Sequence, residues 1–252
     1  MATHIRAGDI ELRREGNNPL TYRIILTLYR DVDGIEFSNA EGFLDFGTGE
    51  EPIPVIWESA GNIPDKRTEI GTFDTLYTFP ASGQYTISFF ERNRNPGVEN
   101  MQASQDTPFY IESTVLINPA LGKNTTPRFS IPPLDQAAVG QTFLHNPGCY
   151  DPQGDSLSYR ITFCKQNDGE PATGYTFPDD PQFSDETEDG ETPPIFTIDP
   201  VTGTMKWDAP AVPGEYNVAF FVDEWRDGVK IGTINRDMQI IVEDTDNERP
   251  EV

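Results

Sequence analysis

The chain has 252 residues, a formal net charge of −24 and 36% hydrophobic residues. That length accommodates one large domain or two of ordinary size. The acidity repels nucleic acid and anionic lipid and sets both aside as partners. The sequence also lacks the run of about 18 apolar residues that would cross a membrane as a helix.

Taken from the start, Met1 is followed by Ala2-Thr3-His4 with no basic or apolar leader, which reads as a mature N-terminus behind an initiator. Prolines and glycines then punctuate short runs rich in β-branched and aromatic residues: LTYRIILTLYR, QYTISFFER, FYIESTVLI, SLSYRITF, EYNVAFFV and DMQIIV. Runs of this kind bounded by turn-formers predict strands, and no capped helical periodicity competes with them. The fold class expected is all-β.

Two segments echo each other. ASGQYTISFFE (81–91) and VPGEYNVAFFV (212–222) each have a glycine turn, a polar residue, a tyrosine and an alternating strand ending in Phe-Phe. Strand alternation places Tyr85, Ile87 and Phe89 on one face, and Tyr216, Val218 and Phe220 on the equivalent face, as core candidates. The echo predicts two β-sandwich domains in tandem, 1–118 and 119–245, with NPALGKNTTPRF between them. Residues 246–252 read as the start of a linker toward a next domain, so a fragment of a longer secreted chain is expected.

The stretch CYDPQGDSLSYRITFC holds both cysteines and two aspartates around a turn. Asp151, the Gln153 carbonyl and Asp155 offer hard oxygen ligands at alternating positions, which suits Ca²⁺, with Asp223 at a strand end as a further ligand. The EF-hand spacing is not met, and the alternative is a tight Asx-capped turn. Cys149 and Cys164 are expected to form a disulfide in an oxidising compartment, against the alternative of two buried thiols.

Residues 165–194 form a long acidic insertion, read either as a loop that is mobile or ordered by metal, or as a ligand-binding loop. Its Tyr175, together with Trp225 near a strand end, could stack a sugar, although tryptophans in a sandwich more commonly pack in the core. His4 and His145 lack metalloprotease spacing, and neither a nucleophile elbow nor a phosphate loop occurs, so no enzyme is expected.

The second half carries NPGCYDPQGDSLSYRI, FTIDPVTGTMKWDAP, PGEYNVAFFVDEW and MQIIVEDTDNERP in that order, and resembles a cadherin-like bacterial immunoglobulin-type repeat. The resemblance implies Ca²⁺ held by Asp151, Asp155 and Asp223 on the domain side and by Asp244, Asp246 and Asn247 on the outgoing linker. The incoming segment KNTTPRF departs from it: Asn124 remains where such a linker carries acids. In the first half, GFLDFGTGEEP and TLYTFPASGQYTISFFE resemble a PKD-type immunoglobulin-like domain, with Thr48 in place of its aspartate. The order of the whole chain is similar to the N-terminal region of large gliding-motility-associated surface proteins of the Bacteroidota, exported by the type IX route. The resemblance implies a non-catalytic structural or adhesive segment at the cell surface. Its partners would be the following repeats of the same chain and a surface glycan or protein. A carbohydrate-binding module is the alternative expectation.

Overall fold

A computed structural model describes residues 5–33, 42–63, 67–183, 195–208 and 210–244. The first half supplies β1 (Ile5–Arg14), β2 (Thr21–Asp31), β3 (Phe43–Asp45), β4 (Ile53–Pro54), β5 (Glu58–Ile63), β6 (Thr68–Thr78), β7 (Gly83–Glu91) and β8 (Phe109–Ile117). The second supplies β9 (Arg128–Phe129), β10 (Leu134–Ala138), β11 (Phe143–His145), β12 (Cys149–Tyr150), β13 (Ser156–Thr162), β14 (Lys165–Asn167), β15 (Glu170–Pro171), β16 (Phe196–Ile198), β17 (Met205–Trp207), β18 (Gly214–Arg226) and β19 (Val229–Glu243). Three short 3-10 turns complete the described elements, so the protein is all-β. The strand pairs are antiparallel except β10 with β19.

Alternation explains the local structure. In β1, Ile10 and Leu12 enter a first core while Asp9, Glu11 and Arg13 take the other face. Leu26 and Leu28 of β2, Ile87 and Phe89 of β7, and Phe109 and Ile111 of β8 complete that core. A second core gathers Trp207, Tyr216, Val218, Phe220, Val222, Met238 and Ile240. The core candidates of both echoed strands are fully buried, apart from Tyr85, which packs partly buried against the first core.

The echo is also geometric. Each strand opens a long hairpin: β7 pairs β8 from Gly83↔Ile117 to Glu91↔Phe109, and β18 pairs β19 from Gly214↔Val242 to Arg226↔Val229. In both, the tyrosine hydroxyl donates to the carbonyl four residues back, Tyr85 to Ala81 at 3.0 Å and Tyr216 to Val212 at 2.9 Å. Such a bond pins the corner from which the strand departs. The second hairpin turns on Asp227-Gly228, both at positive φ (51° and 78°), the conformation of a two-residue turn whose twist matches the strands.

The two cores share one sheet. One edge of β19 pairs with β8 over Gly232–Ile234, meets Gly8 of β1 at Asp237, and runs beside β10 over Gln239–Glu243. Its other edge belongs to β18. Gly8 is required at this crossing, because a Cβ there would collide with Leu28. The interval 119–127 is not a free tether. Thr126 exchanges backbone and side-chain bonds with Leu12, its hydroxyl accepting from Leu12 N at 2.9 Å and its amide donating to Leu12 O at 2.9 Å.

The hairpin β18–β19 is buried on both faces. Opposite the second core, Ala219 packs with Val98, Met101, Cys164 and Ala172. Beside that cluster lies a buried polar network. Arg94 donates to Asp237 at 2.8 Å and to Lys165 O at 2.9 Å. Asn217 donates to Arg6 O at 2.9 Å, and Gln239 donates to Asn217 at 3.0 Å. Asn100 clasps the Asn217 backbone, accepting from its N at 3.0 Å and donating to its O at 2.8 Å.

The expected disulfide does not form; both cysteines are free thiols. Cys149 packs with the second core and bonds Tyr159, whereas Cys164 lies past the end of β13 in the third cluster. An extended strand advances about 3.3 Å per residue, which carries Cys164 beyond the Cα separation of roughly 7 Å that a disulfide tolerates. Burial pushes the Cys149 thiol up to about 12 and also raises Cys164 well above the ordinary thiol value, so neither is a thiolate at neutral pH.

Arg94→Met leaves Asp237 charged and unpaired inside the protein and is expected to cost about 3–5 kcal/mol. Urea unfolding followed at Trp57 in the first core and Trp207 in the second should show both signals shifting together. A loss under about 1 kcal/mol, or a shift of one signal alone, would contradict the coupling.

Candidate metal centre

The turn between β12 and β13 is built by Asp151. Its Oδ1 accepts from Gln153 N at 2.7 Å and from Asp155 N at 2.9 Å, while its carbonyl accepts from Gly154 N at 3.3 Å. Gly154 sits at φ 83°, which a β-carbon would disfavour. This is the Asx-capped turn, and it aims two carboxylates to one side.

The third acid at this place is Glu224. Ligand oxygens of Asp151, Asp155 and Glu224 all lie within 4.8 Å of one another. Glu224 is fully buried, and neither its Oε1 nor Asp151 Oδ2 accepts from an N–H or hydroxyl of the protein; while Glu224 is protonated, the bond open to it here is the one to Asp151. Asn124 donates to the other Glu224 oxygen at 3.0 Å. Opposite Glu224 on β19 stands Gly232, where any Cβ would collide with the Glu224 carboxylate. The strand pairing thus leaves a cradle for this acid.

Electrostatics follow from the geometry. Burial drives the Glu224 carboxyl up to about 9, with Asp151 and Asp155 adding to the rise and the Asn124 bond opposing it. Two carboxylates this close relieve their repulsion by sharing a proton or by facing a cation. Asp155 is already paired: the Arg226 guanidinium grips both of its oxygens and also donates to Leu121 O at 2.6 Å and Lys123 O at 2.9 Å. Arg226 therefore ties the 119–127 interval to the turn.

The sequence-derived ligands divide. Asp151 and Asp155 come together. Asp223 lies on the other face of β18, where it accepts from Arg160 at 2.9 Å and Thr233 at 2.8 Å. Burial alone would raise its pKa, but those bonds lower it, so Asp223 is a committed structural anion. The Gln153 side-chain oxygen accepts from Thr125 N at 2.9 Å. Asp244 is exposed, and Asp246 and Asn247 lie outside the described residues.

Glu224 was missed, although its signal was present. Tyr216, Val218 and Phe220 fix the core-facing parity of β18, and Val222 and Glu224 continue it. An acid at a core-facing position asks for a partner.

Both rings read as sugar-stacking are partly buried. Trp225 is half-buried and donates to Ser158 Oγ at 2.9 Å, and the Tyr175 hydroxyl is buried beside Cys164. Part of the acidic insertion does pack: Phe183 enters the second core, in edge contact with Tyr216.

No family model and no curated protein matches this sequence. Among solved structures, the tandem Ig repeats of Dlar align over 88% of this chain and 90% of that one, at 7% identity and a TM-score of 0.27. That similarity is too low to support an argument about fold or function.

In metal-free protein the folded pKa of Glu224, about 9, exceeds its usual value of 4.5, so proton uptake favours the fold. Stability should fall as pH rises through that window, and Glu224→Gln should flatten the decline. Denaturation midpoints for both proteins across neutral pH, in EDTA, check this; identical slopes would refute it.

Proposed function

We propose that this chain is a non-catalytic, Ca²⁺-stabilised segment of a multi-domain cell-surface protein serving adhesion or gliding motility. It would comprise two immunoglobulin-like units, PKD-like then cadherin-like, set in tandem and continued by further repeats outside the cell. The paired hairpins, each with its tyrosine bond to the preceding corner, support the two-unit reading. The ordered motifs of the second half support the surface-protein reading.

The buried Glu224 carboxyl facing Asp151, with no protein N–H or hydroxyl on its Oε1, carries the cation part. All the donors present are oxygens, the chemistry Ca²⁺ prefers at roughly 2.3 to 2.6 Å, and the Gly232 cradle leaves room for the Glu224 side chain. Asp151, Glu224 and Asp155 would hold the ion, with water completing its shell. When bound, it supplies positive charge that offsets three crowded carboxylates. Glu224 would then give up its proton, Asp151 would hold the turn, and Asn124 with Arg226 would lock the 119–127 interval against both. In this reading the ion stiffens the joint between the units. The carboxylates serve as ligands and ion-pair partners, with no role in bond making.

Saturating Ca²⁺ should raise the melting temperature above that in EDTA, by about 2.7 kcal/mol of stabilisation at a hundred times Kd. Because binding displaces a proton, the increment should grow with pH. Asp151→Asn and Glu224→Gln should each remove most of it. No calcium-dependent shift by calorimetry, with no bound calcium by metal analysis, would end the cation part while leaving the fold untouched.

A further inference from the structure

The outward face of β1 meets the second half across a cavity of 340 Å³, large enough for a small ligand. Asp9, Glu11 and Arg13 line it from β1, and Arg128, Tyr150 and Arg236 from the other side. Three arginines face two acids, so the lining is net positive in a chain of net charge −24. Glu11 is neutralised locally, accepting from Arg13 at 2.6 and 2.7 Å and from Arg128 at 2.5 Å.

Arg236 is the unusual group. Its side chain is 2% exposed, stacks on Phe129 at 4.1 Å and donates from Nη2 to Ile131 O at 2.7 Å. Asp9 lies 3.6 Å from its Nε, and Nη1 has no hydrogen-bond partner. A buried guanidinium N–H without an acceptor is costly; Nη1 is closed to solvent in the free protein, so an anionic oxygen would reach it from the cavity only with a small shift of the lining. Tyr150, on the same side as Arg236, is half exposed, presenting a ring at the edge of a mostly polar cavity. Thr27 and Ser130 add hydroxyls.

We propose that this cavity binds one carboxylate-bearing sugar unit, such as a uronic acid residue of an acidic polysaccharide. A single negative charge matches the net charge of the lining, whereas a phosphate dianion would exceed it. The ring of Tyr150 suits the apolar face of a pyranose, and the polar lining suits its hydroxyls. This site is separate from the acidic triad and does not depend on a cation there.

Isothermal titration of the whole chain with sodium glucuronate, glucose and inorganic phosphate tests the assignment. Glucuronate should bind at least about tenfold tighter than the other two, a difference of about 1.4 kcal/mol. Tyr150→Ala and Arg128→Gln should each weaken it about tenfold with little change in melting temperature, so that a failure of Arg236→Gln to fold would leave the test intact. Parallel titrations in calcium and in EDTA separate this result from that of the cation centre. Equal binding of glucose, equal binding of phosphate, no saturable glucuronate binding, or an unchanged affinity in Tyr150→Ala would each overturn the proposal.

Discussion

The structure depends on the buried pairing of Arg94 with Asp237. Asp237 stands on β19 at the residue opposite Gly8, where a strand of the first half joins the central hairpin. Both side chains are essentially inaccessible, at 0% and 1% exposure, so removing either partner leaves the other buried without its counter-charge. The loop carrying Arg94 connects β7 to β8, and its backbone bonds Ile5 and Glu215. A single ion pair therefore fixes that loop, the start of β1 and both strands of the hairpin in one arrangement. Asn100, Asn217 and Gln239 bond into the same network, which leaves Arg94 Nη1 and Gln239 Oε1 without partners and is therefore satisfied only in part.

This bears on how the two halves resist relative movement. Modules joined by a proline-rich linker owe their stiffness to that linker. Here β19 contributes hydrogen bonds to strands of both halves, and the intervening segment is itself bonded to β1 through Thr125 and Thr126. Relative movement of the two cores would break sheet pairing and expose the Arg94–Asp237 pair. In the proposed calcium-bound form the ion adds to a joint that backbone pairing already holds.

Much of the fold was legible because periodicity reports burial directly. The strand runs, the echo between residues 81–91 and 212–222, and their core-facing residues follow from alternation and turn chemistry. The shared sheet was not legible, because pairing between sequence-distant edges leaves no local pattern; β18 reads like any apolar strand although both of its faces are buried. At the site, Asp151 and Asp155 were visible as a loop motif, while Asp223 and Glu224 are adjacent acids separated only by strand parity. Choosing the one that looked like the end of the strand gave the wrong face. The cysteines misled because proximity in sequence around a turn was read as proximity in space, whereas β13 carries the second thiol away.

The turn at residues 149–155 belongs to both candidate sites. Tyr150 lines the same cavity as Arg236, and the next residue, Asp151, organises the acidic triad. Tyr150 ends β12 and Asp151 opens the turn that follows, so one short segment presents its ring to the cavity and its carboxylate to the triad. Whatever holds Asp151 also limits the freedom of Tyr150, and a ligand packed on Tyr150 restrains Asp151 in return. Linkage requires such an effect to be equal in both directions. Its size depends on how far the free turn moves, and the bonds from Asp151 to the amides of Gln153 and Asp155 already hold it close to one geometry. A pre-set turn makes the coupling between the two sites small and leaves each able to fill alone.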